Sequence, residues 1–365
     1  MLSDGFGGLD VKSKITISEI AQKSGVSVST VSRVLNNSPS VSPKKREKIQ
    51  RIIDEYNYTP SVFARGMVNH TTRNIAVILP DITNPYFASL FQQVERFALQ
   101  HQYATLMFNT MFVRGEQRPA EELTEADYYK IALEKQVDGV LILGGSMDKE
   151  DIPDEFLKAL NQMHRQVPVV IVGSRVDGCD CLFVERNLKQ GVTAIVHHFV
   201  ALNHERIGFI GGEPGIRVTS ARVEAFQQAL SALGKRVDPR HVVLSDYYAQ
   251  DGYSAMNQLL DMAGDADSNS QLPTAVVAIN DMVALGAIRA MKDRGLQCPE
   301  HMAIASCDQF PSGEYSVPRL TSLDQHNEYL GRMAVLQLIS AINGSEEEIS
   351  INHTPELMIR ESCGA

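Results

Sequence analysis

Residues 15–36 hold two short stretches of helical period around a glycine, a pattern that is common by itself and is made informative by the residues it carries. Thr16 stands where a helix cap belongs, with Glu19 three residues on, the spacing of a capping box. Ile17, Ile20 and Ala21 share one helical face, and Gly25 can take the positive φ that ends a helix. Ser27 is placed to cap a second helix with Val31, Val34 and Leu35 inward. Its outward face is Val28, Ser29, Thr30, Ser32 and Arg33, small, polar and free of acid, where an ordinary surface helix more often carries Glu and Lys. A helix of that character suits the major groove of DNA, among phosphates.

Net charge, −10 over 365 residues, would by itself argue against nucleic acid. Its distribution argues the reverse. Residues 11–74 carry 11 Lys and Arg against 4 Asp and Glu, a net of +7, which leaves −17 for the rest. A basic head on an acidic body is the footprint of a DNA-binding module joined to something else. The cysteines at 179, 181, 298, 307 and 363 form no C-x-x-C pair and fit a reducing cytoplasm. No apolar run approaches the ~20 residues of a membrane span. Residues 1–13 lack the apolar segment of a signal peptide and read as a disordered arm.

Ser42-Pro43 opens a third helix, from Lys44 to Tyr56, with Ile49, Ile52 and Ile53 inward and Lys44, Lys45, Arg46 and Lys48 near its start. From Asn74 the texture changes. Strand-like runs at 75–79, 137–143, 167–172, 206–211, 275–279 and 302–306 alternate with helical patterns such as 86–100. A further strand-like run lies at 356–360. That rhythm predicts two doubly wound parallel sheets, which take ligands at the carboxyl ends of their strands.

Gly25-Val26-Ser27 and Thr30-Val31-Ser32-Arg33-Val34-Leu35-Asn36 are close to a signature of the LacI/GalR family of bacterial repressors, which the chain resembles from about Lys14 to Ser362. Later landmarks are the opening from Ile75 to Phe87, Asn280 to Ala287 and Pro318 to Leu323. The resemblance implies a small all-α three-helix DNA-binding head with a hinge helix, joined to a two-lobed α/β body of doubly wound parallel sheets, periplasmic-binding-protein-like. The helix-turn-helix domain would span 14–59, the hinge helix and linker 60–73, and the effector-binding and dimerisation body 74–365. Lobe one would be about 74–184 and 326–345, lobe two about 185–325 and 346–365. Val28, Ser29, Thr30 and Arg33 would meet the major groove, while Thr16, Ser27, Ser32, Asn36, Ser40, Ser42 and Lys44 would meet phosphates or flanking positions. In the hinge, Ser61 and Ala64 join Met67, which stands where the family usually places a Leu wedge between base steps. The hinge is shorter than the ~12–15 residues an isolated helix needs in water, so it is expected to fold only against its partner and the minor groove.

For the body, Tyr86, Phe87, Ser174, Arg175, Asn187, Arg222, Asn280 and Asp308 are the effector-site candidates. The family commonly has an Arg at Arg222 that holds ligand hydroxyls or carboxylates. A carboxylate and a guanidinium facing each other across a cleft suit vicinal hydroxyls, which points to a sugar or sugar derivative. Asn187 and Gln309 stand where carboxylates are common in the family, and Arg175 adds a cation, so an acidic or phosphorylated sugar is expected. Asp281 is expected to cap the helix it starts. Glu224 and Asp246 are alternative partners for Arg222.

No G-x-S-x-G, P-loop or H-E-x-x-H is present, and His197, His198 and His204 are not at metal-ligand spacing. The reading is therefore not an enzyme, with no cofactor, metal or membrane partner. It is a cytoplasmic bacterial repressor that binds a near-palindromic double-stranded operator as a homodimer. The helix at 86–100 would help form the dimer, and a small-molecule effector, a carbohydrate, would shift the population between two states. A regulator controlled by a protein co-effector, an activator, and a solute-binding protein of the same body fold remain open. The stretches 113–125 and 264–272 carry no recognisable chemistry, and no heptad repeat follows Arg360.

Overall fold

The computed structural model describes residues 15–35, 38–56, 58, 71–110, 123–262, 272–345, 347, 349 and 353–365. The expected arm at 1–13 and most of the hinge, of 113–125 and of 264–272 lie outside them. The chain divides into two compact units after Arg73.

In the first unit, α1 (Ile17–Ser24), α2 (Val28–Leu35) and α3 (Pro43–Glu55) close on one small core. Thr16 and Glu19 form the reciprocal capping box, and Gly25 at φ 67° takes the left-handed conformation that ends α1. Val31 and Ile49, both wholly buried, meet Ile20 between the three helices.

The second unit holds two sheets. The first has the order β2-β1-β3-β4-β5 and is parallel throughout. Its strands are β1 (Asn74–Leu79), β2 (Ala104–Asn109), β3 (Gly139–Leu143), β4 (Val169–Val172) and β5 (Leu182–Val184). Alternation along β1 shows why both faces are covered. Ile75, Val77 and Leu79 pack in one cluster with α4 (Pro85–Gln100). Ala76 and Ile78 pack in another with α5 (Glu125–Glu134) and α6 (Asp154–His164). A strand buried on both faces reads as an unbroken apolar run, which is why β1 was legible.

The second sheet runs β11-β10-β9-β8-β6-β7. Its strands are β6 (Ile207–Ile210), β7 (Val242–Val243), β8 (Ala275–Ala278), β9 (Ala303–Ser306), β10 (Thr321–Asp324) and an antiparallel β11 (Glu356–Met358). Around it are α7 (Leu188–Ala201), α8 (Arg217–Ala232), α9 (Ala249–Asp261), α10 (Asp281–Asp293) and the short α11 (Pro311–Glu314). α12 (Asn327–Ile342) returns to pack on the first sheet. The chain thus passes between the sheets after β5, after β10 and after α12. In each sheet the winding reverses once, between β1 and β3 and between β6 and β8, and open α/β sheets take ligands at such points.

Candidate functional site

The head presents its second helix as expected, with one exception. Val28, at 43% exposure, and Ser29 and Arg33 face solvent. Ser27 accepts a hydrogen bond from the Thr30 backbone at 3.3 Å, and their hydroxyls lie 2.9 Å apart, so Thr30 is half-buried and held in place. Ser32 is a correction: it is 5% exposed and faces the core. α2 is gripped by both α1 and α3, which widens its buried stripe beyond one helical face. Thr16 donates both its backbone N–H, at 2.7 Å, and its hydroxyl, at 2.9 Å, to Glu19. Ser42 sits at the cap position of α3 without making a capping bond, and it, Ser40 and Lys44 are exposed. Arg33, Lys44, Lys45 and Lys48 give the head exposed cations for phosphates. Asn36, Ser61, Ala64 and Met67 lie outside the described residues.

In the second unit a cavity of about 350 Å³ lies between the carboxyl ends of the two sheets. Asp81 follows β1, Ser146 follows β3 and Arg186 follows β5. From the second sheet, Glu213 follows β6, Asp246 and Tyr247 follow β7, Asn280 follows β8 and Asp308 follows β9. Pro85 at the start of α4 and the Asn84 cap, which accepts from the Tyr86 N–H at 3.0 Å, set Tyr86 and Phe87 into the wall edge to face.

Arg222 is the centre of the second lobe's wall. It is 1% exposed and grips Asp308 through both terminal nitrogens, at 2.6 and 3.0 Å. It also donates to the carbonyls of Ile279 at 2.6 Å and Cys307 at 3.3 Å. Burial works against its charge, but Asp308 prevails and holds its pKa above the ordinary value. Its Nε is buried and has no acceptor among the described residues. Arg186 lies over the Tyr86 ring at 4.5 Å and 4.0 Å from Asp308. Across the cleft, burial pushes the Asp148 carboxyl up to about 6, with Glu125 adding repulsion and Arg186 opposing it.

Of the sequence candidates, Tyr86, Phe87, Arg222, Asn280 and Asp308 meet at this cavity. Ser174, Arg175 and Asn187 do not line it. The Arg175 guanidinium lies over Phe183 at 5.2 Å and its backbone N–H donates to Glu185. Asn187 caps α7, accepting from the Gln190 N–H at 3.2 Å, so its carbonyl is committed to the helix. The chain points the preceding residue, Arg186, inward instead.

Three further expectations are corrected. Arg222 and Asp308 do not face each other across the cleft but are bonded within one lobe, and Arg222 pairs with neither Glu224 nor Asp246. Asn280, not Asp281, caps α10, accepting from the Val283 N–H at 2.9 Å. Asp281 is wholly buried, accepting from the Ser306 hydroxyl and, at 2.8 Å, from the Phe310 N–H, and burial raises its carboxyl to about 7. The charge of the cavity also opposes an anionic ligand. Asp81, Glu125, Asp148, Glu213, Asp246 and Asp308 line it against Lys149, Arg186 and Arg222. Asp81, Glu125, Asp148, Arg186, Tyr247 and Tyr248 were missed by sequence reasoning, because loops after different strands bring them together.

Among the described residues no group of His, Cys, Asp and Glu is arranged to hold a metal, and no helix is long and apolar enough to cross a membrane.

Residues 16–61 match the family model for bacterial regulatory proteins of the lacI family, and residues 196–363 match a periplasmic binding protein-like domain. The HTH-type transcriptional repressor PurR of Pasteurella multocida is 30% identical over 350 residues, covering 95% of this chain and 98% of that protein. The HTH-type transcriptional repressor CytR of Escherichia coli K12 is 29% identical over 329 residues, 90% of each chain. Among solved structures, the complex of the transcriptional regulator CelR with cellobiose is 27% identical, with a TM-score of 0.67 over 95% of this chain and 99% of that one. The Lac repressor dimer bound to operator and an anti-inducer shares the fold, with a TM-score of 0.81 at 22% identity over 96% of this chain and 99% of that one. A helix-turn-helix head with a basic, acid-free recognition face, a doubly wound two-sheet body with a cleft at its strand ends, and repressor relatives along nearly its whole length agree: the chain belongs to the LacI family and is a DNA-binding transcriptional repressor.

Proposed function

We propose that the repressor binds a near-palindromic operator as a homodimer in the cytoplasm, and that a small hydroxylated effector, a sugar or sugar derivative, binds the body's cleft and sets its affinity for DNA. The observation that carries the effector reading is Arg222. Its guanidinium, locked to Asp308, lines the cavity with Arg186 beside it, and this group of two cations around one carboxylate offers donors and an acceptor to ligand hydroxyls. The cellobiose held by the CelR relative supports a carbohydrate class. Tyr86 and Phe87 supply the flat surface that a sugar ring stacks on. Exposed Leu99 on α4, 61% exposed, and Met107 on the edge strand β2, 40% exposed, offer apolar surface for the second copy. The domain division at 14–59, 60–73 and 74–365, with its lobe boundaries, is part of the same proposal, as is the hinge carrying Ser61, Ala64 and Met67.

On DNA, Val28, Ser29, Thr30 and Arg33 read bases, while Thr16, Ser27, Asn36, Ser40, Ser42 and Lys44 fix the register on phosphates. The test is anisotropy with a selected operator and a scrambled duplex. Arg33→Ala is expected to lower operator affinity by about 1–3 kcal/mol while leaving salt-sensitive binding to the scrambled duplex. An unchanged ratio between the two duplexes removes the recognition-helix assignment. For the effector, a thermal-shift screen of sugars is decisive, since a ligand at about 100 times its Kd adds about 2.7 kcal/mol of stability.

A further inference from the structure

The first lobe's wall of the cleft carries three carboxylates, and they are not equally satisfied. Asp81 accepts from Thr83, N–H at 2.8 Å and hydroxyl at 2.6 Å, and from the Tyr248 hydroxyl. Glu125 accepts from the Tyr129 hydroxyl and the Ser146 N–H, each at 3.0 Å. Asp148 accepts a hydrogen bond from none of the described residues and forms no ion pair with them. The charges that act on it are Arg186, Glu125 and Arg217. Arg217 is committed to the carbonyls of Lys149, at 2.8 Å, and Glu150, at 3.1 Å, and Arg186 lies over Tyr86. Lys149, beside Asp148 in the chain, is exposed. A half-buried carboxylate that lacks a partner among the described residues, beside a second carboxylate in a concave site, favours a cation.

We propose that the effector is a hydroxylated amine of monosaccharide size, an amino sugar, whose ammonium group rests between Asp148 and Glu125 while its hydroxyls meet the Arg222–Asp308 pair on the opposite wall. This rests on the cleft being the effector site. The two walls ask for different ends of one molecule: a donor bearing positive charge on the first lobe, and hydroxyls on the second, where the Arg222–Asp308 pair lines the cavity. A sugar acid would face six carboxylates. A neutral sugar would leave the Asp148–Glu125 repulsion in place. A cavity of about 350 Å³ is at the small end for ligand sites and suits a single ring.

Calorimetry on the full chain tests this with glucosamine, galactosamine and mannosamine, their parent hexoses and glucuronate. At pH 7.5 at least one aminohexose is expected to bind about tenfold or more tighter than its parent, and Asp148→Asn to erase that preference. Between pH 7.5 and pH 5.5 the amine is expected to weaken more than the parent, because Asp148 takes up a proton near pH 6 and loses its charge. The unliganded Asp148→Asn protein should melt no lower than wild type at pH 7.5, which separates lost recognition from lost folding. Parent hexoses binding as tightly as the amines, with Phe87→Ala weakening both, overturns the amine and leaves the cleft as effector site. No binding by any of these sugars, with operator binding intact, overturns both.

Discussion

The Arg222 guanidinium exchanges water for four hydrogen bonds, two of them to Asp308. Removing one partner of a buried pair strands the other charge, which costs more than the pair contributes. Arg222→Leu is expected to lower unfolding stability by about 3–5 kcal/mol in urea, and Arg222→Leu with Asp308→Leu to recover much of it. Arg186 at 4.0 Å from Asp308 tempers the loss. Asp281 gives a pH signature. Burial raises its folded pKa to about 7, against about 3.9 unfolded. The folded state therefore holds the proton more tightly, so this contribution to stability is full below about pH 4 and is lost as pH rises through 7. Comparing melts at pH 5 and pH 7.5, wild type should lose stability relative to Asp281→Asn. A constant difference between the two proteins removes Asp281 as the source. Of these residues Asp308 was legible as a polar residue at a strand end and Arg222 through the family resemblance, but their direct bond was not, because 86 positions separate them.

At the scale of elements, the sequence predicted the three helices of the head, the helix at 86–100 and the strands β1, β3, β4, β6, β8, β9 and β11. The strands it passed over have physical excuses. β2 is a half-exposed edge strand, while β10 has four residues, β5 three and β7 two, too short for a period to register. The contact between α9 and α10 was also invisible. A Cβ on Gly286 would lie 1.9 Å from the Ala249 carbonyl oxygen, and one on Gly252 would lie 2.1 Å from that of Val283. These two glycines let the helix backbones touch. Gly286→Ala is expected to cost about 3 kcal/mol or more in urea unfolding, despite alanine's better helix propensity. A gain in stability would show that the helices separate at no cost.

For the body as a whole, hydrogen bonds between protein groups cross the cleft. The Tyr248 hydroxyl donates to Asp81, the Ser220 hydroxyl donates to Glu150, and the Glu150 N–H donates to Gly215 at 2.9 Å. Arg217 adds its two bonds to the carbonyls of Lys149 and Glu150. These contacts favour the closed arrangement, and an effector that needs that arrangement gains from them. Arg217→Ala is expected to weaken effector binding in proportion to the closed fraction lost, about tenfold if that fraction falls to one tenth. Unchanged affinity in calorimetry would mean that closure does not depend on Arg217.

The sequence by itself determined the helix-turn-helix with its acid-free face, the basic head on an acidic body, and the alternation of strand and helix that winds two sheets. These are local properties: caps, periods and charge act between residues a few positions apart, so the linear order records them. Tertiary structure alone decided that Ser32 turns inward, that Arg186 rather than Asn187 enters the cavity, that Arg222 closes on Asp308, and that six carboxylates share one cleft. Those outcomes depend on loops after separate strands converging at the edge of two sheets, and no spacing along the chain measures that distance.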